Sequence, residues 1–70
     1  MKTVITRDDR HFVVSTVFAT MSPIGWETLV FPADQLGNIT DWGEVCGVRY
    51  STEAEAIAGH DKMVIEFQVN

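Results

Sequence analysis

Residues 51–67 carry their apolar side chains at helical spacing. At about 100° per residue, Ala56, Ile57, Met63, Val64 and Phe67 fall within a sector roughly 120° wide centred on His60, while Glu55, Lys62 and Glu66 point away. This spacing predicts an amphipathic helix that covers an apolar surface. Ser51 or Thr52 supplies its cap, and Thr52 with Glu55 three positions on has the spacing of a capping box, in which each side chain satisfies the other's orphan backbone N–H. Glu53 and Glu55 suit the positive end of the helix dipole.

Upstream the period changes to two. Residues 2–6 alternate polar with β-branched positions, residues 7–10 form a polar interruption of turn length, and residues 11–19 resume the pattern, so the two stretches read as strands joined by a hairpin. In the second strand Phe12, Val14, Thr16 and Phe18 share one face, opposite Val13, Ser15, Val17 and Ala19. Both faces are apolar enough for a central position. Pro23 and Gly25 break the run, and residues 26–31 start a third strand, with Trp26, Thr28 and Val30 opposite Glu27, Leu29 and Phe31, which Pro32 ends or pushes to an edge. Residues 33–44 read as a loop pinned by Leu36, Ile39 and Trp42, and residues 45–50 as a short fourth strand. The predicted fold is α+β: one domain over residues 1–70, an antiparallel meander of three to four strands with one C-terminal helix packed on one face.

Size and charge narrow the possibilities. A chain of 70 residues buries only about 60% of the surface its unfolded form exposes. A single cysteine, Cys46, provides no intrachain disulfide, and His11, Cys46, His60 and Asp61 lack metal-ligand spacing, so neither common staple is expected and self-association, for example as a homodimer, is the usual remedy. The net charge of −5 argues against a phosphate backbone as ligand, so no nucleic-acid partner is expected. The carboxylates are scattered from Asp8 to Glu66 rather than concentrated on one segment, so imitation of DNA is disfavoured against a simple solubilising role. The apolar runs are far shorter than the roughly 20 residues of a membrane span, and the start of the chain is polar, which together predict a cytoplasmic protein with no membrane partner.

Several blocks stand in a particular order: residues 14–18 (VSTVF), residues 26–31 (WETLVF), residues 49–52 (RYST), Glu55-Ala56, and Gly59-His60 followed by Met63-Val64. In these blocks the chain resembles a family of small uncharacterised proteins of bacteriophages and prophages, over residues 14–64. Members often carry an Asp-His pair and a longer loop after the S-T-V block, where this chain has Thr20-Met21-Ser22-Pro23, and Leu29 stands where methionine is usual. The resemblance implies a viral origin and brings no activity with it.

His60 is the sharpest candidate for chemistry, because an imidazole inside an apolar stripe must either bond a group under the helix or line a groove, and the structural role is the commoner one. Gly59 beside it costs about 1 kcal/mol relative to Ala inside a helix, which points to a close approach at that turn, for instance by Trp26 or Tyr50. Glu27 and Arg49 are placed to pair as a buried or half-buried bridge, an architectural role in the first instance, and with His60 they would also suit an anion. Ser15, Thr16 and Thr28 supply hydroxyls without a strained nucleophile turn, and Cys46 has no cationic neighbour in sequence, so no catalytic residue, cofactor or metal is expected. Trp26, Trp42, Met21, Ile24 and Leu36 lie in or beside loops, where large apolar side chains either tuck under or meet a partner.

The leading expectation is therefore a non-enzymatic phage accessory protein that acts by binding, for example as an inhibitor of a host or defence protein. A second is a dimer sequestering a nucleotide-like molecule in a pocket lined by Thr16, Arg49, Tyr50 and His60. A third is a minor virion or assembly component.

Overall fold

A computed structural model describes residues 1–69, with side chains described through Gln68. Four strands, β1 (Lys2–Arg7), β2 (Arg10–Ala19), β3 (Gly25–Ala33) and β4 (Cys46–Tyr50), precede one helix, α1 (Glu53–Val69). The strands form one antiparallel sheet in the order β1-β2-β3-β4, and α1 packs across one face. The α+β meander expected from the alternating pattern is the fold observed.

Register decides which side chains meet. Direct partners in an antiparallel ladder share a face, and the pairs Ile5↔Phe12, Val14↔Val30, Thr16↔Thr28, Phe18↔Trp26 and Trp26↔Tyr50 all lie on the helix side. Ile5, Phe12, Val14 and Val30 form the buried core with Met63 of α1, while Cys46, Val64 and Phe67 pack at its margin. Phe67 closes one end with its ring edge against Phe12, 5.3 Å between centroids. The Arg7 guanidinium then donates to the Phe67 carbonyl, tying the last turns of the helix to β1.

Segment 34–45 covers part of the opposite face, where Val13 and Phe31 are buried. Asp34 holds the segment by accepting from the backbone N–H groups of Leu36 and Asn38, a local alternative to a strand ladder. The Asn38 amide keeps its carboxyl below the usual carboxylate range. Gly37 has φ +85° and lies against Val4, where a Cβ would fall 2.7 Å from Cγ2, so both backbone and space require glycine.

Of the two outcomes expected at Pro32 the second is found: β3 runs on through it, opposite Phe12, along the stretch that β4 does not reach, since β4 pairs only as far as Val30. There the Pro32 carbonyl accepts from the Thr40 N–H, and Ala33 bridges Ile39. One detail differs from the sequence reading, the helix stripe. Ala56, His60 and Met63 are buried, but Ile57 is 44% exposed, and Gly59 on the other flank is half-buried against Tyr50. The packed face is thus turned by roughly 30° from the one centred on His60.

The turned face sets Gly59 against Tyr50. A Cβ on Gly59 would overlap the Tyr50 hydroxyl and ring, so the missing side chain is what lets the aromatic lie against the helix. At the helix start, the Thr52 hydroxyl accepts from the Glu55 N–H, as in a capping box, but its own O–H donates to the Glu55 carboxylate. The Glu55 side chain thereby takes the hydroxyl hydrogen and not the Thr52 backbone N–H.

Helix propensity and packing give opposite signs for Gly59→Ala. Propensity alone adds about 1 kcal/mol of stability, whereas overpacking against Tyr50 removes about 1–3 kcal/mol. Urea unfolding is expected to show net destabilisation in the natural background and net stabilisation when Tyr50→Ala is also present.

Candidate functional site

The polar centre of the protein lies under the helix. Thr16 and Thr28 are cross-strand partners on β2 and β3, so their side chains rise together from the sheet. Their hydroxyl oxygens are 2.6 Å apart, and Thr16 Oγ1 is also 2.6 Å from His60 Nδ1. His60 Nε2 lies 2.9 Å from Thr3 Oγ1 on β1. One imidazole therefore links the helix to three strands. Thr16 and His60 are 1% and 3% exposed, and no buried side-chain nitrogen or oxygen among the described residues lacks a partner.

A neutral imidazole offers one donor and one acceptor, and each threonine hydroxyl can play either part. Either tautomer is satisfied. In one, Thr28 donates to Thr16, Thr16 to Nδ1, and Nε2–H to Thr3; in the other the direction of all three bonds reverses. Burial pushes the His60 pKa below its ordinary value of 6.5, the Met1 ammonium pushes the same way, and Asp61 opposes them. The ring is neutral at physiological pH.

A hydroxyl hydrogen-bonded to an imidazole is the pairing from which acyl-transfer nucleophiles are made. Here it is sealed between sheet and helix, so no substrate atom reaches Thr16. The pair is architectural.

The other candidate residues separate into distinct places. Glu27 and Arg49 are cross-strand partners on the face away from α1, joined by a 2.8 Å ion pair, and Arg49 also donates to the Pro23 carbonyl at 2.6 Å. The bridge forms as the sequence suggested, but with side chains 24% and 42% exposed it is worth no more than about 1 kcal/mol. Glu27, Arg49 and His60 do not assemble into one anion site, because the sheet stands between them. Thr16, Arg49, Tyr50 and His60 likewise do not line one cavity. Tyr50 faces a groove of about 390 Å³ between β4 and α1, lined also by Val48, Ala58, Gly59, Lys62 and Met63.

Trp26 packs edge-on against Phe18 at 5.3 Å and, with Met1 and Ile57, lines a shallower hollow of about 310 Å³ near the helix start. Trp42 stands edge-on to Phe31 at 5.4 Å on the far face, yet remains 73% exposed. Its neighbour in the same loop, Leu36, is 86% exposed, and Met21 and Ile24 project from the β2–β3 turn.

Thr3 is the member of the buried network that sequence reasoning missed. Its signal was faint: a hydroxyl two positions before the core residue Ile5, on the strand face that meets the helix. Comparison with family models, curated proteins and solved structures finds no match to this chain. Among the described residues no helix is long and apolar enough to cross a membrane, and no group of three His, Cys, Asp or Glu residues is placed to hold a metal ion.

Replacing Thr16 with Val strands both His60 Nδ1 and the Thr28 hydroxyl, at a cost of about 1–3 kcal/mol. The same change at Thr6, whose hydroxyl meets His11 in solvent, is expected to cost less than about 0.5 kcal/mol. Chemical denaturation of the two variants checks the contrast. The pH dependence follows from the direction of the His60 shift. Because the unfolded chain takes up the proton first, stability is complete above the unfolded value of about 6.5 and declines as pH falls from there toward the lower folded value. Urea midpoints measured from about pH 7.5 to about pH 5 should fall for the natural protein and stay flatter for His60→Gln.

Proposed function

We propose that this protein is a bacteriophage accessory protein that acts by binding a host protein, and that it performs no catalysis. The observation that carries this reading is the direction in which its side chains face. The buried groups His60, Thr16 and Thr28 are turned inward and mutually satisfied, while large apolar groups are turned outward on loops.

Trp42 is the centre of the reading. Its ring is steadied by Phe31 and is still mostly exposed, so little side-chain freedom is lost when a partner covers it. Leu36 sits in a turn fixed by the Asp34 carboxylate, which pre-organises a second apolar contact in the same loop. Rigid aromatic and aliphatic side chains of this kind are the residues on which protein interfaces concentrate their affinity. The viral assignment rests on the ordered blocks that resemble phage and prophage proteins.

Affinity capture from a bacterial lysate, with the natural chain beside a Leu36→Ser, Trp42→Ala double variant, tests the reading. A partner retained by the natural chain and lost by the variant, with the melting temperature of the two proteins similar, is the expected result. Equal capture by both would remove the loop from the interface. A melting-point rise with nucleotides that persists in the variant would replace protein binding by small-molecule sequestration.

A further inference from the structure

The helix does not sit centrally on the sheet. His60 bonds Thr16 on β2 and Thr3 on β1, and Arg7 of β1 holds the helix end, so α1 is drawn over the β1–β2 half. What remains on the other side is the groove of about 390 Å³, floored by Val48 and Met63 and bounded by Tyr50 where it lies on Gly59. The groove borders β4, the last strand of the sheet, whose outer edge meets no strand among the described residues.

We propose that the edge of β4 and this groove form a docking site for an extended cationic segment of a partner protein, which adds a fifth strand to the sheet. The backbone of such a segment pairs with β4, and because strand side chains alternate, every second one faces the groove. On that face an apolar side chain covers Val48 and Met63, and a cationic one two positions away meets the carboxylates at the rim. The groove is at the small end of the range for binding cavities, which suits one or two aliphatic side chains better than a large ligand.

Charge selects the occupant. Among the described residues lining the groove are two carboxylates, Glu55 and Glu66, and one cation, Lys62, and the whole chain carries −5. A second copy would bring the same acidic rim and the same net charge, so like charges would face each other across the joint. The opposite edge, β1, carries Lys2 and Arg7 beside the Met1 ammonium and repels a cationic strand. The edge of β4 lacks the lysine or proline that commonly guards such strands, and its one charge, Arg49, is engaged by Glu27 and the Pro23 carbonyl.

The probe is a peptide in which every second residue is valine and lysine in turn, with threonine between them, titrated into the full chain and followed by amide NMR, with glutamate in place of lysine in its counterpart. The expected result is perturbation of residues 47–50 and 58–63 by the lysine peptide alone, weakened by added salt. Ala58→Trp, at an exposed position lining the groove, should weaken the interaction about tenfold or more while leaving the melting temperature close to that of the natural protein. Three results would overturn the proposal: equal effects of the two peptides, perturbation confined to β1 or the Trp42 loop, or β4 shifts that depend on protein concentration without peptide, which would mean a second copy. The inference goes beyond the loop-mediated binding proposed above. A lysate partner lost with the Trp42 variant but kept by Ala58→Trp, together with no peptide binding, would leave that reading standing and remove this one.

Discussion

One imidazole holds the two layers of this protein in register. His60 reaches down from α1 to hydroxyls on β1 and β2, and through Thr16 to β3, so helix and sheet cannot slide without breaking several buried hydrogen bonds together. Apolar contacts alone tolerate small shifts, because the hydrophobic effect has no direction. The polar cluster is directional, and misplacing any member leaves another buried without a partner, at a cost well above the net worth of the bond itself. In a chain of 70 residues with a small core, such a device specifies one packing arrangement where burial by itself would allow several.

The position it imposes has consequences at both margins of the sheet. Drawn toward β1, the helix closes the Phe12–Phe67 end and leaves room beside β4, where Tyr50 fills part of the space by lying on Gly59. The far face is treated differently. There the loop after β3 folds back, with Asp34 fixing its turn, Gly37 meeting Val4 and Trp42 standing against Phe31. Val13 and Phe31 are covered in this way, while Val4 and Val17 remain partly in solvent.

Chemistry and interaction thus divide between interior and surface. His60, Thr16 and Thr28 are occupied with one another under the helix, and the ion pair on the far face joins neighbouring strands and a turn. The surface offers shape, fixed apolar anchors and negative charge. These are the features on which the proposed binding role rests, and the interior polar cluster joins the layers that carry them.

The sequence by itself determined the elements and their faces. Period-two alternation grouped Phe12, Val14, Thr16 and Phe18, and Trp26, Thr28 and Val30, each on one face without saying which face meets the helix, and the 3.6-residue period with Thr52 and Glu55 located the helix. The close approach at Gly59 and the Glu27–Arg49 pair were also legible, since a costly residue and a complementary pair each leave a local mark. Only the tertiary structure decided what stands opposite His60, that Ile57 turns toward solvent, and that Glu27, Arg49 and His60 lie on two sides of the sheet. Periodicity carries the direction of a side chain relative to its own element. The identity of its partner depends on cross-strand register and on where the helix comes to rest, and both are set by contacts between residues far apart in the chain.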